Sequence, residues 1–303
     1  MRQETWRRDP SAYPIRGELA PRYTDVDVWQ HMNNTALIGL HGETLHHALR
    51  AVLGPQAWRA SQPIVAFRRN ATDFLAEAHY PETIAWGARV LGAEAGGLRI
   101  ATALFQHERC VGLHETTLCG WHEGRATGLG DATVAALRAA NVPGADAVDP
   151  AAAPDEPDEP PPTLESLPWR TAIATRFADS DARRLASDNF LARCAEQVRV
   201  EFLGQTFGSR ERRMGSMMVA HVALRWLGRA APGRHWEAGC GLTRVSERSF
   251  AARSAFYEDG RCVAVSDSVM VSIDPESRRS APMTEQARAL LAPWQVADPA
   301  TPG

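Results

Sequence analysis

The stretch "RYTDVD" at residues 22–27 returns as "RFADSD" at residues 176–181, a gapless displacement of 154 residues. "HERCVG", from His107 to Gly112, returns as "DGRCVA", from Asp259 to Ala264, displaced by 152. Each copy then closes alike, with "EGRATGLGDATVAALRAA" in the first and "ESRRSAPMTEQARALLAP" in the second. Three matches in one order point to a duplication, and a repeat must be identified before any fold is assigned. Between the copies runs "GADAVDPAAAPDEPDEPPPTLESLPW", too polar and proline-rich to build a core. The expected organisation is a first unit over residues 14–143, a linker over 144–169 and a second unit over 170–293.

Within each copy the Asp-x-Asp segment leads into an amphipathic helix. In the first, Leu37, Ile38, Leu45, Ala48, Leu49, Val52 and Leu53 recur at helical spacing, and Gly54-Pro55 supplies a stop. In the second, Phe190, Leu191, Cys194, Val198, Phe202 and Leu203 do the same before Gly204. Gly39 and Gly42 each weaken a helix by about 1 kcal/mol, so close approach of a sheet or ligand is expected there. Runs such as "ETIAWGARVLG", "PIVAFRRNATDFLA" and "CGLTRVSERSFAARSAFYEDGRCVAVSDSVMVSI" follow, with β-branched residues and alternation. Asp259-Gly260 is a hairpin signal. Each unit is therefore read as a strand, one long helix and an antiparallel sheet, an α+β plan.

Composition removes several functions. The formal charge is −3 and no basic run of useful length occurs, so a nucleic-acid footprint is missing. All basic residues are arginines, which excludes Schiff-base chemistry and the P-loop lysine. Any anion must be met by arginine or by backbone amides. The five cysteines are scattered without C-x-x-C spacing, so neither a disulfide framework nor a metal site is signalled. Reduced thiols fit a cytoplasmic location. "MRQETWRRDPSAYPIRG" shows no apolar h-region and no run of about 18 apolar residues occurs later, so neither an export signal nor a membrane span is expected.

The segment "RYTDVDVWQHMNNTALIGL", Arg22 to Leu40, opens the first helix. Its pattern resembles the hotdog-fold thioesterases, over nearly the whole chain apart from linker and tails. That resemblance implies two tandem hotdog domains, each a long helix wrapped by a curved antiparallel sheet, paired as an internal pseudo-dimer with sites where the units meet. It implies no cofactor. In the branch typified by 4-hydroxybenzoyl-CoA thioesterase the second Asp of the motif is general base or nucleophile, which falls on Asp27, and helix-start amides around Asn34 bind the thioester oxygen. The string also resembles the plant-type acyl-ACP thioesterases, where an Asn follows that Asp by two and a His by four. His31 matches the His, but Trp29 replaces the Asn, and "FRRNA" offers Asn70 where those enzymes carry an acid.

The chemistry suits these residue types. A thiolate leaving group, pKa about 8.5, departs without a strong general acid. A base and an oxyanion site suffice, and helix N-terminal amides carry the partial positive charge an oxyanion needs. Asp27, His31 and Asn34 are the catalytic candidates. Tyr23 is placed to bind substrate or tune Asp27. Asn33 is both an N-cap candidate and a substrate contact, and Asn70 is a further contact. Asp25 fits a cap or turn organiser, while His41, His46 and His47 fit packing or surface roles.

The second copy keeps Asp181 but has Leu185 at the His31 position and Ser187-Asp188 at the Asn33-Asn34 position. It is read as structural and ligand-binding. Arg183, Arg184 and the loop arginines Arg210, Arg212 and Arg213 are candidates for CoA phosphates or an acidic carrier protein. Because the site lies between units, His221 in "MMVAHVALRW" is expected to face the Asp27 pocket. The expected substrate is an acyl-CoA, or an acyl carrier protein thioester, in a chain that forms its own pseudo-dimer, with further homo-oligomers left open. The competing classes are a non-catalytic acyl-thioester-binding protein and a hotdog hydratase, whose Asp and His spacing is not apparent.

Overall fold

The computed structural model describes residues 1, 3–59, 65–94, 97–122, 125–139, 160–182, 184–208, 216–228 and 235–296. In the first copy β1 (Ile15–Leu19) leads through a 3-10 turn (Tyr23–Asp25) into α1 (Asn34–Leu53). Then follow β2 (Val65–Phe74), β3 (Ile84–Glu94), β4 (Gly97–Gln106), β5 (Arg109–His122), β6 (Arg125–Thr127) and α2 (Asp131–Ala139). The second copy repeats the order with β7 (Trp169–Ala174), α3 (Asp188–Phe207), β8 (Ser216–Trp226), β9 (His235–Val245), β10 (Ser249–Glu258), β11 (Arg261–Ile273) and α4 (Glu285–Leu291).

The strands form one antiparallel sheet in the order β1-β3-β4-β5-β2-β8-β11-β10-β9-β7, with β6 paired to β5. The two halves are mirror lists about the β2–β8 seam, as two equivalent units joined edge to edge require. The chain is a tandem hotdog pair closed into an internal pseudo-dimer. Joining the two edges also removes a row of unpaired backbone groups from each unit.

The duplication reaches into backbone detail. Gln30 and Arg184, 154 apart, both have positive φ, 67° and 61°. The hairpins between β4 and β5 and between β10 and β11 both turn through two positive-φ residues, His107-Glu108 and Asp259-Gly260, as tight hairpin turns demand. Helix burial follows the sequence spacing. Leu37, Ile38, Leu45, Ala48, Leu49 and Val52 are buried on α1, and Phe190, Leu191, Cys194, Val198 and Phe202 on α3. Each large apolar side chain so buried contributes about 1.5–3 kcal/mol. Leu53 and Leu203, in the last turns, are only partly covered.

The segment read as linker divides in two. Residues 140–159 lie outside the described residues, but 160–168 lies against the second sheet, and Trp169 already belongs to β7. Leu167 is buried among Ala255, Tyr257 and Val265, and the Tyr257 hydroxyl donates to the Pro162 carbonyl at 2.5 Å. Leu164 and Leu167 supply the apolar contacts that average composition over the stretch obscured. The first copy does the same with Tyr13, buried over Ala101, Ala103, Phe105 and Leu113. Each strap needs a glycine beneath it. A Cβ at Gly87 would come within 2.5 Å of Tyr13, and one at Gly239 within 2.7 Å of Leu167.

Candidate active site

The first Asp of each Asp-x-Asp is a turn organiser. Asp25 is buried, accepts the Arg22 backbone N–H at 2.8 Å and the Arg22 guanidinium at 2.7 Å, and its own carbonyl accepts Asn33 N–H at 2.8 Å. Asp179 repeats this with the Arg176 and Ser187 amides. These bonds lock the loop that sends the second Asp to the head of the helix. Asp27 Oδ1 accepts the Trp29 N–H at 2.8 Å, while Oδ2 stands 3.5 Å from His31 Nδ1. The backbone pairing Asp27 N–H to His31 C=O, 3.0 Å, closes the same tight loop.

At the start of α1, Asn33 is the N-cap, and its Oδ1 accepts the Thr35 N–H at 2.6 Å. The first intrahelical bond runs from Leu37 N–H to Asn33 C=O, so the Asn34 and Ala36 amides have no acceptor within the helix. The Asn33 amide also donates to Glu196 of α3 at 2.8 Å, which ties the two units together at the head of the helix. Glu196 was not singled out from sequence, where it is one carboxylate in an otherwise ordinary helix face.

A cavity of about 1180 Å³ runs along α1 and across to the head of α3. Asp27, Asn33, Thr35 and Ala36 line it from the first copy, and Asp181, Asp188, Asn189 and Glu196 from the second. Phe67, Ile38 and Leu45 give it apolar wall, and Asn70, His114 and Thr116 line it from the sheet. Asn70 is buried with Oδ1 unpartnered. His46 and His47 also reach it, and His47 stacks on Trp86 at 5.6 Å between centroids. His41 is packed inside, stacked on His114 at 4.8 Å. Burial holds both histidines neutral: it presses His41 well below its ordinary value with help from its neighbour, and His114 down to about 3.

The remaining candidates fall elsewhere. His31 is not among the residues lining the cavity; its Nε2 stands 4.0 Å from Glu77, which contacts Arg278 of the second copy. Tyr23 is 76% exposed, meets Tyr80 edge-on and is not among the residues lining the cavity. His221 does not face the Asp27 pocket. It sits on the opposite face of the sheet, its Nδ1 2.8 Å from Asp73 Oδ1, because an extra residue at Ala220 shifts the β8 register and reverses the side-chain alternation. Arg184 is an exposed loop residue that takes the Gln30 position. Arg183, Arg210, Arg212 and Arg213 lie outside the described residues. Among the described residues, no group of three or more His, Cys, Asp or Glu side chains is placed to hold a metal, and no helix is long and apolar enough to cross a membrane.

The helix glycines differ. Gly39 faces Asn189 of α3 at 3.6 Å, whereas a Cβ on Gly42 meets nothing within 4 Å and points at the open cavity. No sheet approaches Gly42. Gly42→Ala is therefore expected to stabilise the protein by about 0.5–1 kcal/mol, read as a raised urea midpoint. A lowered midpoint would mean that the helix is strained at that position.

Comparison with known proteins bears on the second unit directly. Residues 175–291 match the model of the thioesterase-like superfamily. No curated protein sequence matches the chain. Among solved structures, the 12:0-ACP thioesterase of Umbellularia californica is similar at TM-score 0.63 and 13% identity, over 88% of this chain and 94% of that one. An acyl-ACP thioesterase from Bacteroides thetaiotaomicron VPI-5482 is similar at TM-score 0.59 and 12% identity, over 84% and 97%. At these identities the likeness establishes the double hotdog fold, shared over nearly the full length.

Proposed function

We propose that the chain hydrolyses an acyl thioester, an acyl-CoA, in the cavity between α1 and α3. The observation that carries this reading is that one cavity gathers the Asp27 carboxylate, the first turn of α1 at Thr35 and Ala36 and an apolar wall from Ile38, Leu45 and Phe67; Asn34 itself does not line it. In this reading Asp27 takes a proton from water as the water attacks the thioester carbon, or attacks that carbon itself. The Ala36 amide, which lines the cavity and has no acceptor within the helix, receives the oxygen that becomes negative. Collapse of the tetrahedral species expels the thiolate, which needs no strong acid to leave; where Asp27 has attacked, water then cleaves the acyl–Asp27 anhydride, releasing the acid and restoring the carboxylate. Asn33 anchors the helix head, and the Asn70 carbonyl oxygen, unpartnered in the structure, can accept from the attacking water or from an amide N–H of the thioester's thiol arm. His31 buttresses the Asp27 loop from outside.

A second reading, an acyl carrier protein thioester as substrate, is favoured by the solved acyl-ACP thioesterases that share the full double fold. CoA is preferred because Trp29 and Asn70 replace the Asn and acid of the plant-type pattern. A panel of acyl-CoA and acyl carrier protein thioesters, scored by thiol release, tests both. Hydrolysis of neither set would make this a thioester-binding protein.

The two copies are not expected to contribute equally. Asp181 lines the same cavity and accepts Leu185 N–H at 3.2 Å, but an apolar Leu185 stands where His31 does. Asp181→Asn should cost less than about tenfold in turnover, as a binding contact does. A loss matching that of Asp27→Asn, with circular dichroism unchanged, would mean two working sites.

A further inference from the structure

The heads of α1 and α3 run past one another in opposite directions. Gly39 lies against Asn189, where a Cβ would stand 3.6 Å from the carboxamide, and Asn33 lies against Glu196. The third turn of α3 therefore sits over the first turn of α1, and Glu196 is the side chain it sends across. Glu196 lines the same cavity as Asp27, Thr35 and Ala36, although it belongs to the other copy.

The bonds at this junction form a chain with a fixed direction. A carboxylate accepts and never donates, so Glu196 Oε1 takes an N–H of the Asn33 carboxamide, at 2.8 Å. That turns the Asn33 carbonyl oxygen toward the helix, where it accepts the Thr35 N–H and the Thr35 hydroxyl, each at 2.6 Å. The second carboxylate oxygen stands 3.4 Å from the same hydroxyl. Without Glu196 the Asn33 carboxamide can turn over, and its NH2 group then faces the Thr35 N–H, donor against donor. The cap is lost and the first turn of α1 frays. Ala36 is the next residue, so its N–H loses its aim with that turn.

The other copy lacks the counterpart. The residue 154 positions before Glu196 is Gly42, which lines the same cavity but has no side chain to send toward α3. Ser187 caps α3 by accepting the Phe190 N–H at 3.1 Å, with no carboxylate reaching over from the Gly42 position. Glu196 also acts on Arg199, buried one turn further along α3. That guanidinium offsets part of the negative charge that Glu196 brings toward a developing oxyanion.

We propose that Glu196 is a positioning residue for the hydrolytic site of the opposite copy. By fixing the Asn33 carboxamide it holds the first turn of α1, and so aims the Ala36 amide at the thioester oxygen. This role rests on the hydrolytic reading above.

Thiol-release kinetics on the full chain tests it. Glu196→Ala should lower kcat at least about tenfold with KM near that of the wild type, because the Ala36 amide acts on the transition state. Glu196→Gln keeps an acceptor for Asn33 and gives up the charge. It should hold kcat within about threefold of the wild type while lowering the Tm, since buried Arg199 loses its counter-charge. In an Asn33→Ala background, Glu196→Ala should cost less than about twofold more, because the group it acts through is gone. Hydrogen exchange at the Thr35 N–H should be at least about tenfold faster in Glu196→Ala, a measure independent of turnover. If Glu196→Ala does not fold, Glu196→Leu, which also offers no acceptor, takes its place. The role is overturned if Glu196→Ala turns over as the wild type does, if Glu196→Gln loses as much as Glu196→Ala, or if the loss is undiminished in the Asn33→Ala background. An inactive Asp27→Asn beside an unaffected Glu196→Ala would overturn this role and leave the hydrolytic reading standing. A wild type without hydrolysis, with Thr35 exchange still dependent on Glu196, would overturn the hydrolytic reading and leave Glu196 a structural clamp.

Discussion

Asp27→Asn is expected to lower the turnover of thioester hydrolysis by at least about a hundredfold while leaving KM near that of the wild type. The substitution is nearly isosteric, and the new side-chain carbonyl can still accept the Trp29 N–H that Asp27 Oδ1 accepts at 2.8 Å. Loop geometry is therefore kept. What disappears is the negative charge and the second oxygen, the one facing His31. A carboxamide neither takes a proton from water nor attacks a thioester, so the loss falls on the chemical step rather than on binding. The uncapped α1 amides remain and would sustain a residual rate. Steady-state kinetics on the best substrate of the thiol-release panel separates the two parameters. Activity near the wild-type level would take Asp27 out of the reaction, and a rise in KM alone would make it a binding residue.

Much of this architecture was legible because the chain states it twice. The offset of 154 fixes the same turn, cap and helix in both copies, down to the positive φ at Gln30 and Arg184. Helix faces were legible because apolar spacing survives in each copy independently. The straps were not, since a proline-rich stretch gives no sign that Leu164 and Leu167 reach a sheet face. The site was half legible. Local sequence places Asp25, Asp27 and Asn33 relative to one another, because their bonds span fewer than ten residues. Contacts between copies depend on docking, which pattern does not encode, so Glu196 reaching Asn33 was invisible. His221 failed for a narrower reason. In "SMMVAHVALRW" plain alternation would put His221 beside Val219 on the core face, but the bulge at Ala220 turns Val222, Leu224 and Trp226 inward and His221 out. At Gly42, where approach of a sheet or a ligand was expected, no sheet comes near and the position faces the open cavity.

The buried histidine pair makes a separate prediction, large in stability and independent of catalysis. His41 and His114 are stacked with ring planes 14° apart. Their Nδ1 atoms lie 2.8 Å from the hydroxyls of Thr102 and Thr72, and both rings are cut off from solvent. A proton on either ring would be buried without a counter-charge and beside the other ring. The unfolded chain binds those protons with an ordinary pKa of about 6.5, whereas the folded His114 does so only at about 3 and His41 also well below the ordinary range. The folded-state values are depressed, so the stabilisation is complete above pH 6.5 and is lost as pH falls toward the folded values. Each histidine then costs about 1.4 kcal/mol per pH unit. By pH 5 the two together remove about 4 kcal/mol, a large part of a typical total of about 5–15. Carboxylates whose values are lowered, Glu4, Asp9 and Asp274, titrate below this window and do not mimic it. Urea unfolding at pH 7.5, 6 and 5 should show stability falling steeply between 6.5 and 5. His114→Gln, which can still meet the Thr72 hydroxyl, should roughly halve that slope. A wild-type curve that is flat over this interval would mean that the pair takes up protons without unfolding and has a route to solvent.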